Sequence, residues 1–90
     1  MATHYEKDLE WFVDTMKIKL DDNAHKGTWK NDSIASLFIR LKEEVKELEE
    51  EFKLLQSGDI KAFHRIIKEC ADVANFSMMV AERACFYDGK

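Results

Sequence analysis

The stretch Cys70 to Ala81 most constrains what this chain can become. Twelve residues there are almost all apolar or small at helix-compatible spacing, yet they include Asp72 and Asn75, with Glu69 immediately before them. A buried carboxylate or amide without a partner costs several kcal/mol, on the order of 2–7 for the polar group alone. The helix must therefore meet polar groups from elsewhere in the chain. The acidic run Glu43 to Glu51 is the counterpart in sequence. Glu44 and Glu47 are three residues apart, as are Glu69 and Asp72, so each pair shares one helical face.

Proline is absent and glycine occurs 3 times among 90 residues, with 36% charged and 46% hydrophobic residues. That balance predicts an all-α domain in which residues 1–90 form a single unit. So short a chain has a thin core for its surface, and oligomerisation is expected to complete the bundle. The net charge of −4, with acidic residues massed in one run, argues against binding nucleic acid through a basic surface. Cys70 and Cys85 form neither a CxxC pair nor part of a histidine cluster, which points away from structural zinc or a disulfide framework. No basic-then-apolar leader and no run of about 20 apolar residues is present, so no membrane span and a cytoplasmic location are expected.

Three helices are predicted. Thr3 and Glu6 read as a capping box opening a first helix to about Asp22, with Tyr5, Leu9, Phe12, Val13, Met16 and Leu20 at the helical period. Trp11 and Ile18 sit off that stripe, either as a second apolar edge open to another subunit or neighbouring helix or as ordinary extra core. The pattern stops between Asn23 and Ser33, where His25, Lys26 and Trp29 cluster around Gly27. His25 and Lys26 can meet phosphate, and the Trp29 indole can stack on a base or plug the end of a bundle.

A second helix from about Ser33 carries Ile34, Phe38, Leu41, Val45, Leu48, Phe52 and Leu55 in steps of four and three, the spacing of a bundle seam. Glu44 flanks that seam, while Glu43 points toward solvent. Gly58 stops the helix and Asp59 caps the next, making helices two and three antiparallel neighbours. The third runs from about Asp59 past Ala81, with Phe63, Ile66, Ile67, Cys70, Ala74, Ser77 and Ala81 as one face, and the tail from Cys85 is expected to fray. A helix apolar nearly all round needs more cover than one small bundle supplies.

Bringing two carboxylate pairs together across an antiparallel contact is costly. At about 4 Å two charges repel by about 4 kcal/mol at an effective dielectric near 20, enough to raise pKa values or demand a cation. Carboxylates without cysteine or histidine select a hard, oxygen-seeking ion, Mg²⁺ or Mn²⁺. A solvated coiled-coil face is the alternative for the acidic run alone, and a salt bridge to Lys or Arg is the alternative for Asp72.

The run Glu43-Glu44-Val45-Lys46-Glu47, a gap of 21 residues, then Glu69-Cys70-Ala71-Asp72, resembles the EExxE and ExxD signature of MazG-like, all-α nucleoside triphosphate pyrophosphohydrolases. Asp72 to Met79 and His25-Lys26-Gly27-Thr28-Trp29 also resemble segments of short MazG-like proteins. The resemblance implies a helical bundle in homodimers or homotetramers that hydrolyses (deoxy)nucleoside triphosphates to monophosphate and pyrophosphate. It implies Mg²⁺ ligands at Glu44, Glu47, Glu69 and Asp72, and a nucleotide contact at Asn75. Glu47, with Glu43 as substitute, is expected to position the attacking water; His25, Lys26 and Trp29 are expected to close over phosphates and base. Two other readings stand beside it: a phosphoribosyl-ATP pyrophosphohydrolase-like enzyme, which would share the metal carboxylates and differ in substrate, and a non-catalytic helical interaction protein, which explains the heptad seam but not Asp72 and Asn75 within an apolar run.

Overall fold

Helix boundaries follow the local backbone chemistry. In a computed structural model, which describes residues 4–88, α1 spans Glu6–Asp22, a single 3-10 turn spans Ala24–Lys26, α2 spans Ile34–Gln56 and α3 spans Ala62–Asp88. Ser33 caps α2 by accepting from the Ser36 amide at 3.0 Å. At the other end Gly58 takes φ 107°, its amide donates to the Leu55 carbonyl, and the Asp59 amide donates to the Leu54 carbonyl. This pair of bonds is a Schellman motif, and it needs a residue that tolerates positive φ. Asp59 Oδ1 then accepts from the Lys61 amide, and Arg65 bridges Asp59 and Glu51 at 2.6 and 2.7 Å, tying the α2–α3 turn shut.

Two sequence expectations about the ends change. The first helix begins at Glu6 after a Tyr5 N-cap without a side-chain bond, and the Thr3 half of the proposed capping box lies outside the described residues. The third helix continues through Asp88, so Cys85 sits on a regular turn of helix rather than in a fraying tail.

α3 is the central element, packed by α2 along one side and by α1 along another, while the backbones of α1 and α2 do not approach each other closely among the described residues. The groove left between them is floored by α3, and it is where the acidic and polar residues gather. No described helix is long and apolar enough to cross a membrane.

The packing phase differs from the apolar pattern in the sequence. On α2 the side facing α3 is Leu37, 1% exposed, with Ile34, Leu41, Leu48 and Leu55 half-buried and Glu44 and Glu51 occupying the alternate turns. Phe38, Val45 and Phe52, expected in the seam, are about half exposed, at 50%, 47% and 52%. On α3 the buried line is Ala62, Ala71, Asn75 and Met79, whereas Phe63, Ile67, Ser77 and Ala81 of the expected inner face are exposed. On α1 only Phe12, Met16 and Leu20 of the apolar stripe turn inward, and Trp11 and Ile18 are exposed, which favours the open edge over extra core.

The physical reason is that three helices have room for small residues at their closest approach and cannot cover every large one. The chain's accessible surface is 7051 Å², against about 5,500 Å² for a compact monomer of this size. Its radius of gyration is 15.0 Å where about 12 Å is usual.

Candidate functional site

The one-residue difference in α2 phase turns Glu44 into the α2–α3 contact. Glu47 follows it by one turn, and Glu69 approaches from α3. One carboxylate oxygen from each of Glu44, Glu47 and Glu69 lies within 4.8 Å of the others. Burial, first, and then the hydrogen bond and charge of Glu47 and the charges of Asp72 and Glu69 push the Glu44 carboxyl up to about 8 from 4.5. Burial also raises Glu69, reinforced by Asp72 and Glu47 and opposed by Lys19. The Glu69 Oε2 atom is buried with no hydrogen-bond partner.

Asp72 borders this trio and is held from its other side. Lys19 of α1 reaches to 3.5 Å from Asp72 Oδ2, with the two side chains 23% and 15% exposed. Burial raises the Asp72 carboxyl and Lys19 pulls it back. The alternative of a salt bridge to Asp72 is therefore realised, by a lysine from α1 rather than from α3 itself. Burial and the Glu69 charge also raise the Cys70 thiol, which weakens it as a ligand or nucleophile.

A cavity of about 760 Å³ opens beside the carboxylates, between α1, the 23–32 connection and α2. That volume falls within the roughly 300–1,000 Å³ typical of small-molecule sites. Glu44, Glu47 and Asp72 form its acidic wall, Lys19, Lys26 and Arg40 its basic groups, and Trp29 and Phe76 its aromatic surfaces. The Arg40 guanidinium lies 4.9 Å from the Phe76 ring centroid, a cation held over an aromatic face.

Asn75 lines the same cavity at 4% exposure. Its amide nitrogen donates to the Met16 carbonyl of α1 at 3.0 Å, and its Oδ1 has no partner. With one N–H held by Met16, its Oδ1 is left as a buried acceptor, suited to a ligand hydroxyl or amino hydrogen.

Comparison with protein-family models, curated proteins and solved structures finds no match. The site therefore rests on its own geometry.

That geometry brings together Glu44, Glu47 and Glu69, sets Asp72 at their edge, and places Asn75, Lys26 and Trp29 on the adjoining cavity. Two expected residues stand apart. Glu43 is exposed and lies 3.9 Å from Arg40 on the solvent side of α2, and exposed His25 does not line the cavity. Trp29 is half-buried, its indole donating to Glu82 Oε1 at 3.0 Å, so it also has the structural anchoring that the bundle-plug alternative requires.

Sequence reasoning missed Lys19 and Glu82 and gave Arg40 no place in the site. For Lys19 a signal existed: it lies three residues after Met16, on the inward side of α1, where a charged residue needs a partner. Glu82 had none, because its partners Trp29 and Lys30 are more than 50 residues away in the chain.

Proposed function

We propose that this protein hydrolyses (deoxy)nucleoside triphosphates to nucleoside monophosphate and pyrophosphate with Mg²⁺, or Mn²⁺, as cofactor. One observation carries the reading: the buried, unpartnered Glu69 oxygen beside Glu44 and Glu47, the latter two on the wall of a cavity that also offers cations and aromatic faces. Carboxylate oxygens alone, with like charges raising one another's pKa, fit a hard divalent ion better than they fit water.

Glu44, Glu47 and Glu69 would hold the ion, with Asp72 adjoining. When bound, such an ion offsets phosphate charge and lowers the pKa of water, the usual requirements of phosphoryl transfer. Glu47, the exposed member of the trio, would orient a water against the α-phosphorus. Lys19, Lys26 and Arg40 supply the opposite charge that a polyphosphate chain needs. Trp29 and Phe76 offer faces to the base, and Asn75 Oδ1 accepts from the sugar or base.

The same proposal includes assembly. Phe38, Val45 and Phe52 lie seven residues apart on one exposed stripe of α2, with Phe63 and Ile67 exposed on α3. A second copy covering these stripes would remove the excess apolar surface and make a dimer or larger homo-oligomer.

Hydrolysis of the common ribo- and deoxyribonucleoside triphosphates, with and without Mg²⁺, tests the reading. Monophosphate and pyrophosphate should form only with the ion. Equal turnover in excess chelator, or no turnover of any of them, would overturn it.

A further inference from the structure

The segment from Gly27 to Ser33 carries no helix, yet it places Trp29 on the cavity. Its own backbone bonds are sparse: Asp32 donates to the Trp29 carbonyl at 2.9 Å, and Thr28 Oγ1 accepts from the Lys30 amide at 3.3 Å. What fixes it to the rest of the fold is two adjacent residues of α3. Glu82 accepts the Trp29 indole N–H at 3.0 Å and pairs with the Lys30 ammonium at 3.1 Å. Arg83 donates to the Lys30 carbonyl and grips the Glu82 carboxylate with Nε at 2.9 Å and Nη2 at 3.0 Å. The Lys30 ammonium in turn lies 5.0 Å from the Trp29 ring centroid.

We propose that Glu82 is a positioning residue that acts through Trp29: it sets the indole at the cavity and so determines how tightly the base end of the ligand is gripped. The inference rests on the nucleotide-hydrolase reading for its substrate. Two features of the geometry support it. Tryptophan has one polar atom, its ring N–H, so a single acceptor on a rigid helix fixes which edge of the ring faces α3. The Lys30 cation lies over the ring as well, leaving one face of the indole for stacking and favouring one base over a sandwich. Glu82 accepts from Arg83, Lys30 and Trp29 together, which hold its carboxyl down to about 2 and keep it ionised at neutral pH.

The test uses Trp11→Phe as background, so that Trp29 is the remaining tryptophan of the 2 in the chain. Acrylamide quenching of Trp29 is measured without ligand, and KM and kcat are measured for the common deoxynucleoside triphosphates with Mg²⁺. Glu82→Ala is expected to increase quenching and to raise KM about tenfold with kcat within about twofold, the scale of one lost charge-assisted hydrogen bond. Made on top of Trp29→Phe, which has no N–H to donate, the same change should leave KM nearly unaltered. An equal KM effect in both backgrounds, or Trp29 quenching unchanged by Glu82→Ala, would overturn the proposal. Should Glu82→Ala fail to fold by circular dichroism, Glu82→Gln runs the same cycle, with about a threefold KM effect expected and none overturning it. If no triphosphate is turned over, the hydrolase reading fails by itself, and the quenching measurement still decides whether Glu82 holds Trp29.

Discussion

Replacing Glu44 by glutamine should make the metal-free protein more stable, not less, at alkaline pH. The Glu44 carboxyl is pushed from 4.5 up to about 8, by burial first and by its carboxylate neighbours second. The native state thus holds a proton that the unfolded chain releases. Stability present below about pH 4.5 is lost as pH rises through about 8. At about 1.4 kcal/mol per pKa unit the full difference is about 5 kcal/mol, and solvent screening of a partly exposed side chain brings it to about 2. Glutamine imitates the protonated carboxyl and carries no such penalty. For a domain of this size about 2 kcal/mol corresponds to a gain of about 8–16 °C in Tm at pH 8. Thermal melts by circular dichroism in chelator should show the wild type losing stability from pH 5 to pH 8. The variant should follow a shallower slope, since Glu69 and Asp72 are raised in the same sense, and the two should converge toward pH 5. Mg²⁺ should raise the wild-type Tm and affect the variant little. A wild-type Tm that is flat or rising over this range, or a variant less stable at pH 8, would refute the electrostatic reasoning.

Lys19→Met should lower the metal-free Tm at pH 7 by about 5 °C, since it removes the cation that offsets Asp72 and Glu69. Calorimetric titration should show it binding Mg²⁺ severalfold more tightly; weaker binding would mean that Lys19 helps to build the site. Val45→Asp puts a charge in the middle of the exposed α2 stripe and should shift sedimentation from an oligomer toward one chain, whereas a wild type that already sediments as one chain would exclude assembly through this face.

The fold was legible where the signal was local. Ser33 and Gly58 mark the ends of α2 by their own chemistry, and the structure uses them in those roles, while Asp59 closes a turn onto Lys61 and the third helix starts three residues later than expected, at Ala62. Packing phase was not, because periodicity identifies apolar stripes without saying which of two is covered within the chain. Phe38-Val45-Phe52 and Leu37-Glu44-Glu51 are neighbouring stripes sharing Leu41, Leu48 and Leu55, and the more apolar one lies outside. The acidic half of the site was legible in part: a three-residue interval puts Glu44 and Glu47 on one face, whereas Glu69 joins them, with Asp72 left at the edge, through the packing of α3 on α2. Lys19 against Asp72 and Glu82 against Trp29 depend on how α1 and the loop fold back onto α3, which no local pattern encodes.

Where the water oxygen goes is the most direct test of the central claim. Hydrolysis in ¹⁸O-labelled water with Mg²⁺, followed by ³¹P NMR and mass spectrometry of the products, reports the phosphorus attacked. Attack at the α-phosphorus, as proposed, puts the label in nucleoside monophosphate and leaves unlabelled pyrophosphate, with no orthophosphate. Label in orthophosphate, with nucleoside diphosphate as the other product, would place the attack at the γ-phosphorus and contradict the reaction assigned to this site.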